Sequence, residues 1–191
     1  RLPHLLFHGP PGTGKTSTAL ALAAALFPAS GPVAPGRLAR YSPAAVLELN
    51  ASDDRGIGVV REQIKTFAGT RSALFGGAAP AFKLVILDEC DAMTSAAQAA
   101  LRRVMERYVR NVRFVLVCNH AAAISPALQS RCMRFRFAPL PAASLRARLD
   151  AVVASEGLHV DDDARDAIVS LAHGDMRRVL NVLQAAAAAA S

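Results

Sequence analysis

The chain has 191 residues, of which 52% are apolar and 19% are charged. This balance predicts a globular protein of one or two domains, and no apolar run is long enough to span a membrane, so we expect no membrane association. The net charge of +7 favours an anionic partner such as nucleic acid. Many basic proteins bind no nucleic acid, so the charge alone leaves this question open.

The first two-thirds of the chain alternate strand and helix patterns. The chain opens without an initiating Met or a signal peptide, so we interpret it as lacking its true N-terminus. Strands are predicted over 5–7, 46–49, 83–87, 113–118 and 133–137, and helices over 15–27, 56–68 and 95–108. Residues 28–43, rich in Pro, Gly and Ala, predict a long connection. Alternating elements predict an α/β domain over residues 1–138, with a parallel sheet between helical layers.

Pro139 and Pro141 mark a change of pattern, because no strand is predicted beyond them. Three helical patterns follow. We expect the first to be buried through Leu145, Leu149, Val152 and Val153, the second through Ala164, Ile168 and Leu171, and the third through Val179, Leu180 and Leu183. Asp175 is a candidate N-cap for the third helix. Residues 139–191 are therefore predicted to form a small helical domain.

The three cysteines, Cys90, Cys118 and Cys132, are widely spaced, without a CxxC pair or a His at ligand spacing. A structural metal site needs four converging ligands, which these residues do not supply. We therefore expect small core residues in a reducing compartment.

Residues 9–16 fit the phosphate-binding pattern G-x-x-x-x-G-K-[ST] in full, between a strand and a helix. Glycines let successive N–H groups turn towards phosphate oxygens, and the helix N-terminus adds its positive end. Lys15 is expected to reach the β- and γ-phosphates of ATP, and Thr16 to ligate Mg²⁺. The alternative is an ordinary Gly/Pro turn. The predicted nucleotide-binding set is Gly9, Pro10, Pro11, Gly12, Thr13, Gly14, Lys15 and Thr16.

Polar residues end two further predicted strands. Asp88 follows the apolar run 84–87 and is expected to ligate Mg²⁺ at the carboxyl edge of the sheet, where ligands bind in open α/β folds. Glu89 would activate the attacking water, although an Asp-Glu pair is also common in turns. Asn119 follows the run 115–118 and could contact the γ-phosphate or the water, or simply cap the junction.

Four strings extend this pattern: residues 2–16, then Glu-Leu-Asn-Ala-Ser-Asp-Asp-Arg-Gly-Ile at 48–57, Leu-Gln-Ser-Arg-Cys at 128–132 and Gly-Asp-Met-Arg-Arg at 174–178. Together they resemble the small subunits of AAA+ clamp loaders of the replication factor C family. The resemblance implies an AAA+ domain followed by a helical lid domain. It also implies that an N-terminal segment and a C-terminal collar are missing from this chain.

The resemblance also implies roles for single residues. Arg131 would be an arginine finger, reaching the γ-phosphate in the neighbouring subunit's site; without the family it is only a basic residue near an edge strand. Arg177 would be a second sensor on this chain's own nucleotide, instead of a solvated helix residue. Asn119 becomes the first sensor. Asn50 would restrain Glu89 until DNA binds.

The predicted helix over 56–68 carries the candidate DNA contacts. Arg61 and Lys65 are four residues apart and share one face. A solvated basic face is the ordinary interpretation. In clamp loaders the corresponding helix tracks the phosphate backbone of DNA, which implies the same for Arg55, Arg61 and Lys65; Arg102 and Arg103 are weaker candidates.

The implied function is ATP hydrolysis coupled to loading a sliding clamp onto primer–template DNA, in a hetero-oligomeric ring of clamp-loader subunits in the nucleus. Two alternatives remain. One is another AAA+ motor, and the other is a structural subunit that holds nucleotide and lends Arg131 to its neighbour.

Overall fold

The computed structural model of the chain describes residues 2–29, 41–52, 56–69 and 82–190; of residues 56, 57, 59–61 and 190 it describes the backbone alone. Much of the predicted connection over 28–43 lies outside these ranges. Within them, no helix is long and apolar enough to cross a membrane.

Five strands form one parallel sheet in the order β2-β3-β4-β1-β5. They are β1 (His4–His8), β2 (Val46–Asn50), β3 (Lys83–Asp88), β4 (Val112–Cys118) and β5 (Cys132–Arg136). Each predicted strand is present, with no end shifted by more than one residue. Because β4 lies between β3 and β1, the carboxyl ends of these three strands are adjacent at one edge of the sheet.

Four helices accompany the sheet: α1 (Lys15–Leu26), α2 (Gly56–Gly69), α3 (Ser95–Tyr108) and the short α4 (Pro126–Gln129). Helix α1 packs against β3 and β4, α2 against β2, and α3 against β4. Helix α3 has the predicted bounds, because the Thr94 hydroxyl caps it by accepting from the Ala97 amide. The predicted α/β class with a parallel sheet is confirmed.

The core of this part of the chain lies along the central strands. Strand β3 is buried from Lys83 to Leu87, and β4 is buried except at Arg113, as expected for parallel strands covered on both faces. Leu101, Val104 and Met105 of α3 are buried and lie on one face of the helix. Strand β5 is an edge strand, where Met133 and Phe135 remain 56% and 41% exposed.

Three further helices follow the sheet: α5 (Ala142–Glu156), α6 (Asp162–Ala172) and α7 (Met176–Ala190). They share a core of Leu145, Leu149, Val153, Ile168, Val169, Ala172, Val179 and Leu183. The expectation that Ala164, Leu171 and Leu180 are buried is wrong: Ala164 is exposed, and Leu171 and Leu180 are 54% and 37% exposed. On α6 the buried face runs through Val169 and Ala172, and a 3.6-residue period turns Leu171 away from that face.

The chain divides into two compact units. The first comprises Arg1–His8 with Lys15–Arg136, and the second comprises Phe137–Ser191 together with Gly9–Gly14. The loop that follows β1 is therefore grouped with the helical unit, which no sequence pattern predicted.

Candidate nucleotide site

The loop over residues 9–14 is built around glycines with positive φ, at +145° for Gly9, +66° for Gly12 and +90° for Gly14. At Gly12 space is also limiting, because a Cβ atom there would lie 1.6 Å from Oδ1 of Asp175. The Met176 amide donates a 3.1 Å hydrogen bond to the Gly12 carbonyl. Both the left-handed backbone and this close approach require glycine at position 12.

Lys15 begins α1 and is only 7% exposed. Its Nζ donates a 2.9 Å hydrogen bond to Oδ1 of Asn119, the residue that follows β4. The two residues are 104 positions apart and meet because β1 and β4 are neighbouring parallel strands. The structure therefore brings the predicted phosphate lysine and the predicted first sensor into direct contact.

Thr16 and Asp88 form a second contact at this edge. The Thr16 hydroxyl donates a 2.7 Å hydrogen bond to Oδ2 of Asp88, and the Glu89 amide donates to Oδ1 at 2.8 Å. A hydroxyl and a carboxylate oxygen in contact are hard ligands of the kind that Mg²⁺ binds. These side chains therefore fit the magnesium site that the sequence predicts.

Glu89 has a left-handed backbone, with φ +53° and ψ +38°. Among the described non-glycine residues, only Glu89 and His173 have positive φ. A left-handed non-glycine residue costs roughly 1 kcal/mol or more, and such strain often accompanies function. The turn leaves Glu89 exposed while Asp88 is half-buried, so its carboxylate is accessible to a water molecule.

Two residues that hold loops of this region in place, Asp91 and Gln98, have no role in the sequence-based predictions. Asp91 accepts hydrogen bonds from the Asn119 and His120 amides at 3.1 and 3.3 Å, which fixes the end of β4. The sequence feature that points to Asp91 is the string Asp-Glu-Cys-Asp at 88–91.

Gln98 on α3 is 5% exposed, and its amide donates to the carbonyls of Met93 and Ala123 and accepts from the Ser125 amide. A Gln on the inner face of a helix was the only signal for Gln98 in the sequence.

The other predicted residues lie elsewhere. Arg131 follows α4 and pairs with Glu106. Arg177 is exposed in the first turn of α7, in the helical unit. Asn50 ends β2 beside Asp88 in register, and its amide oxygen accepts from the amide and hydroxyl of Ser52. The proposed restraint of Glu89 by Asn50 stays a prediction.

Of the candidate DNA contacts, Lys65 is on α2 and pairs with Glu62 at 2.6 Å. Arg55 lies outside the described residues, and only the backbone of Arg61, in α2, is described. The structure therefore leaves the DNA contacts as predictions.

The cysteines are free thiols, with Cys90 and Cys118 buried and Cys132 half-buried. Burial raises the pKa of Cys90 far above its ordinary value, and it raises the pKa of Cys118 and of Cys132 to about 11. Within the described ranges, no group of His, Cys, Asp and Glu side chains is placed to hold a metal ion by itself. These thiols therefore act as small core residues in this part of the chain.

Residues 5–140 match the model of the ATPase family associated with various cellular activities (AAA). The chain belongs to the AAA family, and this membership implies nucleotide binding.

Curated relatives narrow the resemblance to replication factor C. Replication factor C subunit 3 of Schizosaccharomyces pombe is 54% identical over 99% of this chain and 51% of its own length. Subunit 3 of Saccharomyces cerevisiae is 56% identical and human subunit 5 is 53% identical, each over 96% of this chain and 50% of its own length. The predicted resemblance is confirmed, and the chain spans about half the length of these relatives.

Solved structures agree on the fold. The RuvB Holliday junction branch migration motor of Thermotoga maritima superposes with a TM-score of 0.68 at 16% identity, covering 96% of this chain and 53% of RuvB. A point mutant of the same RuvB gives a TM-score of 0.69, also at 16% identity, covering 96% of this chain and 54% of that one. At this identity the likeness supports the fold alone.

Proposed function

We propose that this chain is an ATP-dependent subunit of a DNA clamp loader, which binds and hydrolyses ATP to load a sliding clamp onto primer–template DNA. The observation that carries the proposal is the contact of Thr16 with Asp88 beside that of Lys15 with Asn119. The relatives named replication factor C supply the clamp-loader assignment.

The residues at the carboxyl edge of the sheet divide the chemistry among them. The loop N–H groups outside Pro10 and Pro11 and the Lys15 ammonium would bind the phosphates, and Thr16 and Asp88 would hold Mg²⁺. When bound there, Mg²⁺ would supply positive charge that offsets the charge of the phosphates. Glu89 orients and deprotonates the attacking water, and Asn119 donates from its amide to the γ-phosphate or that water. Arg177 would be the second sensor of this chain's own nucleotide, as the resemblance implies.

The proposed site is completed by a second subunit. Arg131 acts on the neighbour's nucleotide, and an equivalent arginine of another subunit acts on the nucleotide bound here. A guanidinium at the γ-phosphate offsets charge in the transition state and contributes roughly 10³-fold or more to hydrolysis in related reactions. Hydrolysis in this arrangement therefore depends on ring assembly.

The partners of this proposal are the other clamp-loader subunits, the sliding clamp and primer–template DNA, and the compartment is the nucleus. Arg61 and Lys65 of α2, together with Arg55 just before it in the sequence, would track the DNA backbone, a contact that is independent of base sequence. The net charge of +7 supports an anionic partner of this kind.

The experiment uses the full-length protein assembled with its partner subunits, in a complex whose other subunits carry an inactivated catalytic glutamate. We expect ATP turnover to rise when clamp and primed DNA are added together. Glu89→Gln should abolish that turnover, whereas Glu156→Gln, the same change on an exposed residue near the end of α5, should leave it unchanged. Glu156 takes part in no ion pair among the described residues.

Two results would support the rival functions. Turnover stimulated by unfolded protein instead of primed DNA and clamp would indicate a remodelling motor. If the complex with Glu89 intact loads clamps but shows no ATP turnover, the chain would be a structural subunit that holds nucleotide and lends Arg131 to its neighbour.

A further inference from the structure

The guanidinium of Arg131 is held by two different helices. Its Nη1 donates a 2.7 Å hydrogen bond to the carbonyl of Ala127 in α4, and its Nη2 lies 2.5 Å from Oε1 of Glu106 in α3. Because the two nitrogens contact two separate elements, the plane of the guanidinium is fixed as well as its position.

The two helices that hold Arg131, α3 and α4, are both packed into the core of the sheet unit. Glu106 follows Val104 and Met105, which are 6% and 1% exposed, so the last turns of α3 are held in place. Helix α4 is anchored by Leu128, which is 1% exposed. The contacts of Arg131 therefore connect it to backbone that cannot easily move.

The ion pair itself is exposed at its outer side, with the side chains of Arg131 and Glu106 36% and 43% exposed. An ion pair at this exposure adds little to the stability of a fold, because water screens the charges. A guanidinium has five N–H donors, and within the described part of the chain these contacts use two of them. The remaining donors are free to bind phosphate oxygens.

We propose that Glu106 is the positioning residue for Arg131, holding its guanidinium in the orientation that enters the neighbouring subunit's nucleotide site. The inference rests on the proposed function, in which Arg131 acts on that site. In this proposal Glu106 acts through its ion pair with Arg131 and not on the nucleotide itself. Arg102 lies 4.0 Å from the same carboxylate and is a weaker second partner.

The test uses full-length subunits assembled in the ring, in two kinds of complex. In the first, only the neighbour that receives Arg131 retains its catalytic glutamate. In the second, only this subunit's own site retains Glu89. We expect Glu106→Gln to lower the neighbour's kcat about tenfold, since an ångström-scale displacement of a catalytic group costs up to about 10²-fold. The KM for ATP and the turnover of this subunit's own site should stay within about twofold of wild type.

Matched variants separate the inference from the proposed function. Arg131→Ala should lower the neighbour's kcat by roughly 10³-fold, and Glu156→Gln should leave it unchanged. If Arg131→Ala has no effect, the proposed function and the inference both fail. If Arg131→Ala lowers the neighbour's kcat but Glu106→Gln does not, only the inference fails. A higher kcat of the neighbour in Glu106→Gln would also overturn it, because it would show that Glu106 restrains Arg131. Equal losses of kcat at the neighbour's site and at this subunit's own site would overturn it too, because they would indicate a damaged fold.

Discussion

The Thr16 hydroxyl and the Asp88 carboxylate, 72 residues apart in the chain, share a 2.7 Å hydrogen bond at the carboxyl edge of the sheet. The bond joins the start of α1 to the end of β3, two elements that the parallel topology brings together. The magnesium ligands that the motif predicts are therefore already paired by the fold.

This pairing predicts a metal-dependent loss of nucleotide affinity in Asp88→Asn. Removing one anionic oxygen weakens the hold on Mg²⁺, so the affinity for ATP should fall about tenfold or more when Mg²⁺ is present. In EDTA the affinity should match that of wild type. Titration of a fluorescent ATP analogue into the full-length protein measures both affinities, with Ser17→Ala, a change at an exposed residue of α1, as the control. Equal losses in Mg²⁺ and EDTA would contradict the metal role.

The loop geometry predicts that Gly12→Ala destabilises the fold. An alanine at position 12 would have to adopt a backbone φ of +66°, and its Cβ would lie 1.6 Å from Oδ1 of Asp175. We expect the free energy of unfolding to fall by about 2 kcal/mol or more in chemical denaturation. Gly14→Ala separates the causes, because Gly14 has φ +90° but nothing within 4 Å of a Cβ. Similar losses in both variants would show that the contact with Asp175 is unimportant.

The buried amide of Gln98 predicts a stability effect from lost hydrogen bonds. Gln98→Met keeps an unbranched side chain of similar length but leaves the Met93 and Ala123 carbonyls and the Ser125 amide without this partner. We expect the free energy of unfolding to fall by roughly 3 kcal/mol, measured by urea denaturation. The same substitution at Gln184, exposed on α7, should change it by less than about 0.5 kcal/mol. A loss of equal size at both positions would refute a special role for Gln98.

His4 predicts a pH dependence of stability. Burial, reinforced by the positive charge of Arg113, lowers the pKa of His4 to about 4, and Nδ1 accepts from the Phe114 amide. Between the unfolded value of about 6.5 and this folded value, the unfolded chain binds the extra proton. Stability from this group is therefore complete above pH 6.5 and falls by at most roughly 3 kcal/mol as the pH drops to 4.

His4→Gln removes the titration while keeping an acceptor for the amide. Its unfolding free energy, followed between pH 4 and 7, should fall less steeply towards acid than that of wild type. Parallel curves for the two proteins would show that the pKa of His4 is the same in the folded and the unfolded chain, which would contradict the lowered value.

Strands and helices were predictable because their residues carry the information locally. The run 83–87 has no polar side chain after Lys83, as expected of a strand that is buried on both faces. Helix α3 has its apolar positions and its cap within one segment. Leu171 and Leu180 were predicted wrongly for the opposite reason. Which of several apolar residues on a helix is buried depends on where the neighbouring helices pack.

The sequence by itself predicted a phosphate-binding loop, because a glycine pattern followed by Lys15 and Thr16 between a strand and a helix is typical of such loops. Its longer strings also predicted the family, which the comparisons confirm. Tertiary structure decided which distant residues meet. It placed Lys15 against Asn119, Thr16 against Asp88, Asp91 against the Asn119 amide, and Arg131 against Glu106. These contacts join residues on separate elements, and only the order of strands in the sheet and the packing of helices bring such elements together.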